Sequence, residues 1–227
     1  MSAALSTPSP AGDHDLGCGL SAHRIEALTD GIYAVAMTLL VIELKLPDHQ
    51  AVPGAEALAQ ALADLLPKVL AWFISFSVLA IFWIGHHRTF SYVRRVDGRL
   101  IGLCIGQLGF VSLLPFSCSL VGEHGREMVS QVIYSINMAA LAVLALLTSR
   151  YIHRHSDGVL MGMPQSAYRG AQVRLFGLML ISALAVLIQA GLPMAGNVAF
   201  SLMAIVMPIS RAVERRSQAC RALPARG

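Results

Sequence analysis

The sequence predicts an all-α membrane protein with six transmembrane helices and both termini in the cytoplasm, and three observations support this. Of the 227 residues, 56% are hydrophobic and only 13% are charged, whereas soluble domains carry about 25% charged residues. Six apolar stretches are long enough to cross a bilayer. Most basic residues lie between these stretches on one predicted side of the membrane. Together these features make the bilayer the expected solvent of the chain.

Six helices are predicted by length, because crossing about 30 Å of hydrocarbon takes roughly 20 residues. They cover residues 24–46, 65–85, 99–121, 129–149, 172–191 and 194–211. The sixth is the shortest, and Pro208 interrupts it near its end. Together the helices form one transmembrane domain, residues 22–212. Residues 1–21 lack Lys, Arg and a compact apolar segment, so we interpret them as a disordered tail and not a signal peptide. Residues 213–227 form a basic cytoplasmic tail.

The distribution of basic residues supports an even number of helices. With both termini inside, 14 of the 17 Lys and Arg residues fall in inner segments, and only Lys45, Lys68 and Arg126 fall outside. An odd number of helices would break this alternation. The net charge of +4 is small and confined mostly to loops, which argues against a nucleic-acid partner. We therefore expect a multi-pass protein of the cell membrane, in bacteria the inner membrane.

The first predicted helix, RIEALTDGIYAVAMTLLVIELKLP, contains polar groups that are costly in a membrane, about 2.5 to 3.5 kcal/mol for a charge at the helix centre. At about 100° per residue, one stripe of this helix contains Gly31, Val35, Thr38 and Ile42, and Leu39 lies beside it. Such a stripe could pack closely against another helix or line a pore around a symmetry axis. Periodicity alone favours the packing face.

The beginning of this helix resembles a known signature. Arg24, three residues, then Leu28-Thr29-Asp30, followed by GIYAVAMTLLVIEL, is similar to the Arg-x-x-x-Phe-Ser-Asp signature of the transmembrane protein 175 family. That family comprises endosomal and lysosomal potassium channels and their bacterial relatives. Leu28 and Thr29 replace the Phe and Ser of the signature, but they keep the apolar bulk and the hydroxyl.

Two further segments resemble the same family. The segment FWIGHHRTF, with Trp83, His86 and His87, looks like the end of its second helix, and SLLPFSCSLVGE, with Pro115, looks like its third. The resemblance covers the six-helix layout, although only the first three helices match by motif.

The resemblance implies a potassium-permeable, modestly selective cation leak channel without a carbonyl selectivity filter. Four identical subunits would surround one pore lined by helix 1. The apolar constriction of the family falls on Val35, Leu39 and Ile42, and Thr38 matches a polar pore position that bears on potassium selectivity. A larger aliphatic residue is usual where this chain has Val35. Permeant K⁺ is the only ion implied and no cofactor is expected; passage of protons is left open. The resemblance shifts the preference from a packing face to a pore.

A polar network is expected at the inner ends of helices 1 and 2, because a buried Asp needs donors. Its predicted members are Arg24, Thr29, Asp30, Trp83, His86 and His87. No metal site is predicted, since adjacent histidines do not share a helical face and no carboxylate or cysteine is spaced to complete a site.

Three other classes of protein are alternatives to a channel. An embedded enzyme would need facing catalytic groups, but apart from Asp30 and Glu43 the predicted helices contain no embedded acid, since Glu26 lies near the inner end and can reach the interface. A secondary transporter would show helices broken at the midplane, whereas Pro115 and Pro208 lie towards helix ends. A non-conducting membrane assembly protein is the remaining alternative.

Overall fold

The structure, a computed structural model, describes residues 22–45, 55–93, 96–155, 163–192 and 196–202. Its helices are α1 (Ala22–Ile42), α2 (Ala55–Phe90), α3 (Gly98–Glu123), α4 (Met128–Arg154) and α5 (Gln165–Gly191), followed by a short 3₁₀ helix (Gly196–Leu202). All five α-helices are long and apolar enough to cross a membrane. The fold is therefore all-helical with five described candidate spans.

Of the predicted sixth helix, 194–211, the structure describes only the 3₁₀ segment, and the remainder lies outside the described residues. The predicted tails, 1–21 and 213–227, also lie outside them, and so do both termini. The helix bounds differ from the predicted ones most at α2, which begins ten residues before and ends five residues after the predicted 65–85. A criterion based on apolar length detects only the part of a helix that crosses the hydrocarbon. It therefore underestimates the length of a helix that continues beyond the hydrocarbon.

The helices pack around a core to which α2, α3, α4 and α5 all contribute. α3 contacts α1, α2 and α4, and α4 packs closely on α5. Fully buried side chains at the centre include Leu79, Val111, Leu114, Met138, Leu141 and Leu178. Since lipid is as apolar as these side chains, their close packing holds the bundle together more than a hydrophobic driving force does.

A second apolar cluster lies at the end of the bundle where α1 begins, which we call the inner end. Every described α-helix contributes to it: Ile25 from α1, Phe90 from α2, Leu100 from α3, Ile152 from α4 and Ala171 from α5. The cluster fixes the inner ends of all five helices relative to one another.

Polar side chains cross-link the helices inside the bundle. Ser75 and Tyr134 share a hydrogen bond of 2.9 Å between α2 and α4. Asn137 of α4 donates to the Ser117 hydroxyl of α3 at 3.1 Å. Such bonds between membrane helices contribute about 0.6 to 2 kcal/mol each, and they fix which faces of the helices meet.

The 3₁₀ helix is attached to the bundle by an aromatic contact and a glutamine. Phe200 packs edge-on against Tyr134, with ring centroids 5.1 Å apart. The Gln189 amide donates to the Gly125 carbonyl at 2.8 Å, while its oxygen accepts from the Gly196 backbone N–H at 3.2 Å. A Cβ at Gly196 would come within 2.8 Å of the Ala185 carbonyl, so this close approach requires glycine.

Asp97 begins α3 and also holds α4 at the inner end. One of its carboxylate oxygens accepts from the Leu100 backbone N–H at 3.1 Å, and the other accepts from the Tyr151 hydroxyl. We expect Asp97→Ala to lower the stability by about 1 kcal/mol through loss of the helix cap, measured as a lower melting temperature in detergent. Asp97→Asn, whose amide oxygen still caps α3, is the matched control; equal melting of Asp97→Ala and the parent would contradict the role of this cap.

Candidate functional site

One face of α1 is not covered by the rest of the described chain. Val35 is 56% exposed, Leu39 42% and Ile42 58%, and Thr38 is exposed as well. The opposite face is buried in the bundle through Ile25, Thr29, Tyr33, Ala36 and Leu40. Helical periodicity thus separates α1 into a packed face and a free apolar face that contains a single hydroxyl near its middle.

The Thr38 hydroxyl has a defined orientation. It donates to the Val35 carbonyl of the preceding turn at 2.8 Å. Because its proton is used within the helix, the lone pairs of the oxygen are left to face the exposed side. Thr38 therefore presents a hydrogen-bond acceptor, the kind of group that can bind a cation, on an otherwise apolar surface.

A groove lies along the same side of the subunit, between α1 and α3, with a volume of about 360 Å³. Its lining is almost entirely apolar and includes Leu28, Val35 and Leu39. Ser112 of α3 is its one side chain with a polar group, and its hydroxyl donates to the Leu108 carbonyl at 2.9 Å. The groove thus extends the free face of α1 onto α3.

Asp30 joins α1 to α2 near the inner end. The Trp83 indole N–H donates to one Asp30 carboxylate oxygen at 2.8 Å, and the Trp83 ring stacks on His87 with centroids 6.1 Å apart. A hydrogen bond to an ionised acceptor is among the stronger ones in proteins. Among the residues of the predicted network, the structure brings Asp30, Trp83 and His87 together.

The other predicted members of the network lie apart from this contact. Arg24 is exposed on the first turn of α1, and Thr29 is buried with a hydroxyl that has no hydrogen-bond partner among the described residues. His86 is buried and stacks on Phe90 with centroids 4.2 Å apart. Its Nε2 also has no partner in the described part of the chain, and its ring lines a cavity shared with Arg174 of α5. Thr29, Arg24 and His86 therefore make no described hydrogen bond to Asp30.

Two polar contacts of α1 could not be found from the sequence. The Ser119 hydroxyl of α3 donates to the Glu43 carboxylate just beyond the outer end of α1, at 2.8 Å. The Gln107 amide of α3 donates to the buried Tyr33 hydroxyl at 3.1 Å. Both contacts fix α1 against α3, and both join residues more than 70 positions apart. Only the side-chain types gave a signal, because Tyr, Gln and Glu groups taken out of water require hydrogen-bond partners.

Two further histidines, His153 and His155, form local contacts at the inner end. His153 stacks on Tyr168 and its Nδ1 lies 3.1 Å from the Met163 carbonyl. His155 stacks on Tyr151 and its Nδ1 lies 3.0 Å from the carbonyl of the same residue. The described residues contain no group of three His, Cys, Asp or Glu side chains that could hold a metal ion.

Five apolar helices around a common core, with one face of α1 left uncovered, define a multi-pass all-helical membrane protein. Residues 24–115 match the family described as endosomal/lysosomal potassium channel TMEM175. The matched residues include the signature on α1, so the resemblance inferred from that signature is confirmed over this part of the chain.

Relatives in bacteria and animals are similar to part of the chain. A potassium channel of Streptomyces collinus is 37% identical over 124 residues, which are 53% of this chain and 59% of that protein. A potassium channel of Chamaesiphon minutus is 36% identical over 124 residues, 53% of this chain and 61% of the relative. The human endosomal/lysosomal proton channel TMEM175 is 32% identical over 151 residues, 62% of this chain and 30% of the relative. The chain thus spans about three-fifths of the length of the bacterial relatives it matches.

Solved structures share the fold. The crystal structure of a lysosomal potassium-selective channel TMEM175 homolog from Chamaesiphon minutus matches with a TM-score of 0.63 at 26% identity, covering 86% of this chain and 97% of that one. A variant of the potassium channel MtTMEM175 matches with a TM-score of 0.53 at 14% identity, covering 88% and 93%. The second match shows a common fold alone.

Proposed function

We propose that the chain is a potassium-permeable, modestly selective cation leak channel of the bacterial inner membrane, in which α1 from each of four subunits lines one pore. The observation that carries this proposal is the free face of α1, where three apolar side chains surround one hydroxyl oxygen. One face of α1 is packed within the bundle, and the opposite face is left uncovered. In the membrane, the uncovered face must meet lipid, another copy of the chain or water. The relatives named as potassium channels favour a water-filled pore.

Six helices per subunit and cytoplasmic termini belong to the same proposal. The support for them is the distribution of basic residues and the extent of the structural match to the Chamaesiphon minutus channel. An image of the purified protein with fourfold symmetry and α1 at the axis would support the assembly, and a twofold or asymmetric particle would contradict it.

Selection in such a pore relies on dehydration and on one ring of oxygens. Potassium would pass the apolar rings of Val35, Leu39 and Ile42 while keeping part of its water, because aliphatic groups offer no ligands. Four Thr38 oxygens would replace some of the lost water ligands. Since apolar rings discriminate by width and wetting alone, the preference for potassium over sodium is expected to be modest. The Trp83–Asp30 contact would hold α1 in the position that sets this width.

Flux through liposomes tests the proposal. We expect purified protein in liposomes to pass potassium faster than sodium, without saturation and without dependence on a counter-ion. Saturable, counter-ion-dependent flux would indicate a secondary transporter, and a well-assembled protein with no flux would indicate a non-conducting assembly protein. The mammalian relatives are named proton channels, so a pH-sensitive dye in the same vesicles measures whether protons pass as well.

The width of the first apolar ring gives a specific prediction. Val35→Leu adds one methylene to each subunit and should lower the single-channel conductance for potassium, because it narrows a ring that already lacks ligands. Val41→Leu is the matched control: Val41 is also exposed on α1 but lies about 100° around the helix from the centre of the stripe. Equal conductance of Val35→Leu and Val41→Leu would show that Val35 does not line the narrow part of the pore.

A further inference from the structure

A small cavity lies inside the subunit, on the side of α2 away from the free face of α1. Residues of α2, α3, α4 and α5 line it. Its polar lining consists of His86, Thr89, Gln107, Thr148, Ser149 and Arg174. None of these side chains belongs to the stripe proposed to line the pore, so the cavity is a separate feature of the molecule.

Two buried polar atoms in this cavity have no protein partner within the described part of the chain. They are Nε2 of His86, a residue that is 9% exposed, and Oγ1 of Thr148, a residue that is 2% exposed. A buried polar atom without a partner is strongly unfavourable. Two such atoms lining one cavity indicate that something inside the cavity pairs with them.

The neighbouring polar groups are oriented in a way that suits a ligand. The Thr89 hydroxyl donates to the Gly85 carbonyl and the Ser149 hydroxyl to the Ala145 carbonyl, each at 2.8 Å. Their protons are therefore used within their own helices, and their oxygens remain able to accept. The Gln107 amide donates to Tyr33. Donors and acceptors thus surround the space between His86 and Thr148.

A cation also reaches this depth. Arg174 is the tenth residue of α5, so it lies about 14 Å along the helix from the first residue. A Cβ on Gly85 would come 2.9 Å from its guanidinium nitrogen Nη2, which shows that the absence of a side chain at Gly85 makes room for the guanidinium. Ionisable groups inside membrane segments often mark a site that binds something.

The volume of the cavity limits its occupant. It is about 20 Å³, on a scale on which one water molecule requires about 10 to 15 Å³. One water molecule or one halide ion fits within this space, whereas a phosphate, a carboxylate or a lipid headgroup would extend out of it. Both are able to accept a hydrogen bond from His86 Nε2–H and from the Thr148 hydroxyl.

We propose that each subunit binds one water-sized ligand, a water molecule or a halide ion, between His86 Nε2 and Thr148 Oγ1. The ligand joins α2 to α4 where neither side chain reaches the other directly. Because His86 lies one turn after Trp83 on α2, the ligand also steadies the segment that contacts Asp30. This site is independent of ion conduction, and its test uses the purified protein without a flux measurement.

The sign of a stability change tests the proposal. Thr148→Val replaces the hydroxyl by a methyl group of the same shape. With the site occupied, this substitution removes a ligand partner and should lower the melting temperature by about 2 to 4 °C. With the site empty, it removes an unsatisfied hydroxyl and should raise the melting temperature, which would overturn the proposal. Thr148→Ser, which keeps the hydroxyl, should retain the ligand.

Two further measurements make the result independent of that one variant. In the double variant His86→Phe, Thr148→Val, the two effects should not add, because either substitution alone releases the ligand; additive stabilisation would contradict the proposal. A high-resolution structure of the parent protein in bromide distinguishes the two ligands. Anomalous signal between His86 and Thr148 identifies a halide, ordinary density there identifies water, and an empty cavity rules the site out.

Discussion

Thr38→Ala is expected to lower the ratio of potassium to sodium permeability of the proposed pore by about fivefold while potassium still passes, if losing the ring of Thr38 oxygens costs potassium about 1 kcal/mol more than sodium. The reason is the orientation of the hydroxyl, whose proton is donated to Val35 and whose oxygen faces the exposed side. Alanine leaves the apolar rings in place, so the proposed pore remains open to ions but loses the hydroxyl oxygens at position 38. Bi-ionic reversal potentials of the reconstituted channel measure the ratio.

Two substitutions at the same position separate the oxygen from the size of the side chain. Thr38→Ser keeps the hydroxyl and should retain most of the selectivity, whereas Thr38→Val keeps the shape and should behave like alanine. A conducting Thr38→Ala channel with the parent permeability ratio would remove Thr38 from the selectivity mechanism.

Trp83→Phe is expected to destabilise the protein and to reduce the fraction that forms the proposed tetramer. The substitution removes the indole N–H that donates to the Asp30 carboxylate at 2.8 Å. Losing one partner of such a hydrogen bond costs about 1 to 3 kcal/mol of stability. In a chain of this size, each kcal/mol lowers the melting temperature by about 2 to 4 °C. Thermal unfolding in detergent gives the stability, and size-exclusion chromatography gives the assembly state. Asp30→Ala should act in the same direction, because it leaves the indole N–H without its acceptor.

The chain offers a matched control for the loss of an indole N–H. The Trp72 Nε1 is buried and has no hydrogen-bond partner among the described residues, so Trp72→Phe removes the same group without breaking a described bond. Trp83→Phe should therefore be the more damaging of the two. If both variants melt and assemble alike, the Trp83–Asp30 contact does not hold α1 in place.

The division of α1 into two faces was predictable because it depends on a local rule. A rotation of about 100° per residue groups Val35, Thr38 and Ile42 without any knowledge of the other helices. The structure shows the same three residues exposed and the opposite face packed. Whether the exposed face meets water, lipid or another subunit does not follow from periodicity, and that part came from the family resemblance.

Contacts between helices were not predictable from the sequence in the same way. Trp83 and His87 stack on one face of α2, while His86 and Phe90 stack on the next. Proximity in sequence grouped His86 with Trp83, but only the packing of α3, α4 and α5 determines what each face meets. Similarly, the charge count assigned Arg174 to an inner segment. It could not place this side chain inside the bundle, because a count contains no information on how deep a side chain enters.

The length of α2 limits how the subunit can sit in a bilayer. Its 36 residues span about 54 Å, against a hydrocarbon thickness of about 30 Å. Even at a tilt of about 40°, the upper end of the observed range, the helix would still cover about 41 Å along the membrane normal. At least two turns must therefore stand in the headgroup layer or in water. A thicker membrane would accommodate α2 with less tilt, and because α2 is packed against α1 and α3, the bundle is expected to change its tilt as a whole.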